Sequence, residues 1–435
     1  MIIIILFGLF VFLFIFLNPG SFVLFYFFFR PLIDWFASKG VESEGLYLSP
    51  QYLLGVITPI GAFSFLLIKK IRLSYLPLGV PILIFLLANI ISFIFTPGTF
   101  FSKIGLFLRL FGPLVIYYFI PVVINSFKKI MEWAKLIVFS VSFPIFFSIL
   151  QLFHKIPYHR YAYIQGLDVR LDAGYGDAFF LTMHLIAGLY FILFVIYTGQ
   201  EINRNRRFCY FILFATVFFL LLKTYYRTSY IIFAVSIILW FYITGNKKAL
   251  MASLILFAIS FLAFSMFFSH FFADLFSFFK PEQGLNFEQS FHGRAGRWAD
   301  MMVAFNKADF YAKLIGISYN FSRYSHNDFI RSLFNTGILG LISYLFLIYS
   351  IIVQIIKRFF FIRNGYLKGN FFIGLVALSA IYFMSYFLTS FTLNPSTLIP
   401  LSYPMWSVLG ITFSQVKIKR YHGKNRMLQS RCKFG

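Results

Sequence analysis

The sequence predicts an all-α, polytopic integral membrane bundle of about 12 or 13 transmembrane helices, and three observations carry that expectation. First, 60% of the 435 residues are hydrophobic and only 12% are charged, with a mean hydropathy of +0.82, far from the composition of soluble domains. Second, apolar runs long enough to cross a hydrocarbon core of about 30 Å as helices recur from end to end. Third, the apolar/polar alternation of a membrane β-barrel is absent. Uninterrupted runs such as 136–153 and 249–268 satisfy their backbone hydrogen bonds in lipid only as helices. The 66 phenylalanines read as lipid-facing filler and carry no functional weight.

The first run, 2–17, has no basic leader and ends in Asn-Pro-Gly-Ser rather than small residues suited to cleavage, so it reads as a retained helix. Whether it pairs with 21–36 as a hairpin is open from sequence. Beyond it, basic clusters recur in alternate connectors, at 69–72, 125–135, 203–207, 245–248, 357–368 and the tail 417–433. A net charge of +24 raises the possibility of a nucleic-acid partner, but this alternation is that of a topology signal, with the basic connectors cytoplasmic. The connectors between them then face outward. They hold most of the acids, among them Asp34, Asp168, Asp172, Asp177, Asp300, Asp309 and Asp328. Cys209 and Cys432 fall on the cytoplasmic side, without a C-x-x-C spacing, and read as bystanders.

Three outward segments remain as candidates for chemistry: 154–177, the short turn 223–229 and the long loop 269–332. Within the long loop, Trp298, Met302, Phe305 and Phe310 recur at helical spacing, which predicts an amphipathic helix over 297–317. The expected organisation is an N-terminal transmembrane bundle (1–268), the long outer loop (269–332), C-terminal transmembrane helices (333–416) and a basic tail (417–435). No segment outside the membrane reaches the usual size of an independent domain.

There is no GxxxxGK[ST], no GxGxxG after a strand, no HExxH, no Cys/His cluster and no Asp-x-Asp, which leads to the expectation of a site with no cofactor and no metal. What remains outside as candidates are basic residues. Arg170, Arg227, Arg294 and Arg297 lie next to helix ends, and guanidinium groups converging from different loops match the oxygens of a diphosphate. Taken singly, Arg297, Arg323 and Arg331 read more readily as snorkelling or ion-paired arginines. Arg227, in a turn of a few residues between two apolar runs, calls for an anion. His326, followed by Asn327 and Asp328, sits just before a helix and suits proton transfer from a hydroxyl, with a structural cap as the alternative. His292, two residues before Arg294, is a second candidate. His154, His159 and His270 read as interface residues and His184 as a satisfied core histidine. Gly337 and Gly340 open the following apolar span and permit close backbone approach, for packing or for a lipid tail.

These outer segments resemble the bacterial O-antigen polymerase and O-antigen ligase superfamily of polytopic glycosyltransferases. Arg227 before a small hydroxyl residue resembles that family's Ser-Arg-small turn, although Tyr226 stands where Ser is common. Arg294-x-x-x-Trp298 followed by the apolar stretch 314–317 resembles its Arg-x-x-x-Trp segment, with Ile317 and Ser318 blurring the second glycine. His326-Asn327 ahead of Gly337-Ile-Leu-Gly340 resembles its His-Asn…Gly-x-x-Gly segment. The resemblance covers roughly residues 220–345. It implies a GT-C-like bundle in the bacterial inner membrane with a periplasmic site, acting on an undecaprenyl-diphosphate-linked oligosaccharide. It also implies His326, Arg294 and Arg227 as catalytic residues, and Arg170, Asn327, Arg297, Trp298 and His292 as substrate-binding residues. A polymerase extending lipid-linked repeat units comes first, a ligase acting on lipid A core second, and a transporter or flippase of lipid-linked oligosaccharides third. A chain-length regulator and a flippase of the same pathway are the implied protein partners, beside membrane lipids and without nucleic acid.

Overall fold

The computed structural model describes residues 2–36, 41–43, 46–48, 50–158, 170–199, 203–255, 294–319, 325–367 and 369–416. His159, Asp168, His270, His292, Arg323 and the basic tail lie outside the described residues. Apart from one short hairpin, β1 (Val41–Ser43) and β2 (Leu46–Leu48), the described regular elements are helical.

In chain order these are α1 (Ile2–Leu17), α2 (Pro19–Trp35), α3 (Pro50–Ile68), α4 (Gly79–Phe95), α5 (Phe100–Val123), α6 (Phe127–Ser140), α7 (Ser142–Leu152), α8 (Ala178–Thr198), α9 (Arg204–Lys223) and α10 (Arg227–Thr244). After them come α11 (Arg294–Lys307), α12 (Phe310–Ile315), α13 (Asp328–Arg363), α14 (Asn370–Ser390) and α15 (Ile399–Gln415). The helices start where local chemistry favours it. Asn18, Ser126, Asp177, Asn203, Asp309 and Asn327 each accept a backbone N–H of the first turn, supplying one of the orphan partners a helix start lacks.

Among the described residues, six helical stretches are long and apolar enough to cross a membrane: Ser102–Val123, Phe127–Leu152, Ala178–Thr198, Arg204–Lys223, Asp328–Arg363 and Asn370–Ser390. Three shorter apolar helices accompany them, Leu53–Ile68, Gly79–Phe95 and Thr228–Thr244. The chain is therefore a membrane-type helix bundle. The middle of the core is α8, whose side chains are almost all buried between α6, α9, α14 and α15.

Ring contacts fix the directions of the helices. Phe179 meets Tyr226, Tyr190 meets Phe233 and Tyr197 meets Trp240, so α8 and α10 run parallel. Tyr190 meets Tyr382 while Phe194 meets Phe371, so α14 runs against α8. Phe329 lies against Phe391, and Tyr242 against Phe359, so α13 runs with α8 and α10. The N-termini of α8, α10 and α13 consequently share one end of the bundle, here the Arg/His end. The opposite end carries Lys128, Lys129, Arg204, Arg206, Arg207, Lys247, Lys248 and Arg363, the segregation that the alternating basic clusters predict.

Several expectations are corrected. Asp34 is not in an outward connector: it is buried in α2, ion-paired to Arg30 four residues earlier. The cluster at 357–363 is the last two turns of α13, where Arg358 is buried over the ring of Phe413 at 4.0 Å. The amphipathic helix expected over 297–317 is two helices, because Asp309 caps α12 by accepting the Ala312 N–H at 2.7 Å. That break removes the predicted stripe, leaving Phe305 buried and Phe310 73% exposed. Gly337 does not open a helix. It interrupts α13 with φ 65° and ψ −165°, dividing it into 328–336 and 338–363.

Candidate functional site

Two groups of residues occupy the Arg/His end. The first joins the loop before α8 to the turn before α10. Leu171 donates its N–H to the Lys223 carbonyl at 3.1 Å, which sets Arg170 beside the 223–227 turn. The turn is tight: Tyr225 has φ 47°, Tyr226 ends it, and Arg227 is the first helical residue of α10. Arg170 is half-buried, and its Nε is fully buried with no hydrogen-bond partner among the described residues. A buried, unsatisfied guanidinium nitrogen is costly unless a ligand completes it.

The loop that carries Arg170 is locked from below. Gln151, at the end of α7, accepts the N–H groups of Asp172 and Ala173 and donates to Asp172 Oδ1 at 2.6 Å. Ala173, Gly174 and Gly176 take positive φ, which folds the loop back over the bundle, and Trp35 Nε1 donates to the Ala173 carbonyl at 3.0 Å. Burial in this loop, with Asp34 nearby, pushes the Tyr175 hydroxyl well above the usual phenol range.

The second group surrounds His326, whose backbone is left-handed with φ 42°. Histidine tolerates that region better than most residues, but holding it there requires fixed neighbours on both sides. They are present. The Ser325 carbonyl accepts the indole N–H of Trp298 from α11, and Ser325 Oγ donates to Asn394 Oδ1 at 3.2 Å. Asn327 Oδ1 accepts the N–H groups of Phe329 and Ile330 while its Nδ2 donates to the Phe391 carbonyl at 3.2 Å. Asn327 is thus the cap of α13 and its link to the end of α14.

The next residue, Asp328, is fully buried. It accepts from Arg331 Nε at 3.1 Å, Ser396 N–H at 3.0 Å, Ser396 Oγ at 2.8 Å and Tyr344 OH at 3.1 Å. A buried charge is stable only when satisfied this fully. Asp328 and Arg331 therefore anchor the start of α13 to the 395–397 turn, and Arg331 is an ion-paired structural arginine.

Backbone contacts set the position of α11 and α12. A Cβ on Gly316 would stand 2.2 Å from the Asn335 carbonyl oxygen, and one on Gly337 2.3 Å from that of Leu314. Ile317 N–H donates to the Phe334 carbonyl at 2.8 Å across the same contact. Tyr319, wholly buried, then donates its N–H to Thr96 Oγ1 at 3.0 Å and its hydroxyl to Asn89 Oδ1 at 3.2 Å in α4.

Of the sequence-predicted residues, Arg170 and the Arg227 turn are brought side by side, and Trp298 and His326 are joined through Ser325. Arg294 begins α11, one turn before Trp298, and Arg297 is exposed on the same helix. Among the described residues no group of three or more His, Cys, Asp or Glu side chains is placed to hold a metal ion.

Sequence reasoning missed two constellations. The 394–396 turn supplies Asn394 and Ser396 to the His326 neighbourhood, and its only signal is a polar island between two late apolar runs. Inside the bundle, Arg30 Nε donates to Asp34 Oδ2 at 2.9 Å and Arg30 Nη1 to the Tyr26 hydroxyl at 2.7 Å. His184 Nε2 lies 3.1 Å from Asp34 Oδ2, which makes His184 a partnered core histidine. The i, i+4 spacing of Arg30 and Asp34 in an apolar run was the available signal. The adjoining cavity, of about 30 Å³ beside Arg30, His184 and Tyr403, has room for a water and not for a sugar. No family model matches this chain, and no curated protein matches it either.

Proposed function

We propose that the protein is a membrane glycosyltransferase that moves a glycan from an undecaprenyl-diphosphate carrier to a lipid-linked acceptor repeat unit, working at the Arg/His end of the bundle. The observation that carries this reading is the buried Nε of Arg170 beside the Arg227 turn, which has no hydrogen-bond partner among the described residues. It is an anion site in waiting at the end where the N-termini of α8, α10 and α13 also direct their positive dipoles.

In this reaction the acceptor hydroxyl oxygen attacks the anomeric carbon, the bond from that carbon to the diphosphate oxygen breaks, and the hydroxyl proton passes to His326. The departing polyprenyl diphosphate gains negative charge, which Arg170, Arg227 and Arg294 stabilise. Trp298, Ser325 and Asn327 keep His326 in its left-handed backbone and so aim the imidazole. The Arg30–Asp34–His184 network speaks against a translocation path along α2 and α8, because its charges are paired with one another.

The test uses purified protein in liposomes with a lipid-diphosphate-linked oligosaccharide, and product length is followed on a gel. A ladder that forms from the lipid-linked repeat alone and falls at least 100-fold in Arg170→Ala, Arg294→Ala and His326→Ala is the expected outcome. Product only after lipid A core is added would make the protein a ligase. Absence of any product sensitive to these substitutions would overturn the transfer reading.

A further inference from the structure

At the end of the bundle opposite the Arg/His face, α10 stops on Gly245, whose φ of 74° turns the chain so that residues 247–255 begin another helix at once. Asn246 caps that helix, its Oδ1 accepting the Ala249 N–H at 3.1 Å. The corner stands off from the last turns of α13 and the first turns of α14 and leaves a cleft of about 480 Å³. Its walls are largely apolar, built on Phe241, Tyr242, Phe359 and Ile373, with the rings of Tyr242 and Phe359 6.1 Å apart. Its rim is cationic: Lys247 and Arg363 are both exposed there, and no described lining residue is acidic.

Two details shape what fits. The carbonyls of Phe241 and Tyr242 at the end of α10 are taken by the N–H groups of Asn246 and Gly245, so the negative end of that helix is capped. Arg363 holds its guanidinium 5.9 Å from the Phe359 ring centroid, keeping the charge directly above the apolar wall. A free anion would leave the apolar wall unused, and a zwitterionic lipid would match the two cations less well. An apolar slot under a cationic rim, at the helix ends of a membrane bundle, complements an acyl chain beneath an anionic head.

We infer that this cleft binds one acidic phospholipid, its phosphate between Lys247 and Arg363 and an acyl chain against Phe241 and Phe359. The inference is independent of the transfer reaction, since the site lies at the other end of the molecule and uses none of its residues.

The experiment is native mass spectrometry of the full chain in a nonionic detergent with equimolar phosphatidylglycerol and phosphatidylcholine. One phosphatidylglycerol should be retained per chain, with a preference of roughly tenfold or more. That preference should vanish in the double variant Lys247→Gln/Arg363→Gln and survive in Arg204→Gln/Arg206→Gln/Arg207→Gln, which alters another basic patch at the same end. Glycerol phosphate, which lacks acyl chains, should not displace the lipid. Equal retention of both lipids, a preference unaffected by the double variant, or displacement by glycerol phosphate would each overturn the assignment.

Discussion

His326 is where sequence and backbone geometry meet most sharply. Its place before a helix start was legible in the sequence; its left-handed φ of 42° was not, because that depends on Trp298 and Phe391, 28 and 65 residues away. The same geometry separates its chemical role from its structural one. His326→Gly relieves the backbone and should leave the protein about 1 kcal/mol more stable than His326→Ala, read by thermal unfolding in detergent. Both variants should lose transfer activity equally. Equal stability of the two would mean that the left-handed conformation is not held in solution. Asn327 and Arg331 show the opposite limit. Arg331 reads from sequence more readily as an ion-paired arginine, and it pairs with Asp328 three residues earlier, whereas the resemblance gives Asn327 to the substrate and its bond to the Phe391 carbonyl, distant in sequence, ties it to the end of α14.

At the scale of elements, helices in apolar runs were readable from composition, whereas their interruptions were not. Gly337 illustrates why. The Gly-x-x-Gly spacing reads as room for close backbone approach, and the backbone of 314–316 does press into α13, but so closely that Gly337 leaves helical geometry. Substitution there meets backbone on both sides of the contact. Gly316→Ala and Gly337→Ala should each sharply reduce folded yield in size-exclusion profiles. Gly365→Ala, with φ 78° but nothing within 4 Å of its added Cβ, should cost only about 1 kcal/mol. Similar losses at all three positions would show that backbone conformation, rather than the α12–α13 contact, sets the requirement.

Across the whole molecule, the alternation of basic connectors was the most informative sequence signal, and the parallel run of α8, α10 and α13 gives it a physical form, with two ends of different chemistry. In a background lacking Cys209 and Cys432, Arg297→Cys and Lys247→Cys should react with a membrane-impermeant maleimide from opposite sides of sealed vesicles. Labelling from one side would break the two-ended arrangement. The division of α13 at Gly337 also bears on how the protein meets bilayers of different thickness. The lower piece, 338–363, is about 39 Å long and spans a hydrocarbon core unaided, while 328–336 is bolted to the 391–396 segment by Asn327, Asp328 and Arg331. Bilayer thickness thus bears first on the lower piece. His326 belongs with the upper one, held to the protein's own frame rather than to the depth of the lipid, as a lamp is fixed to a harbour wall and not to the tide below it.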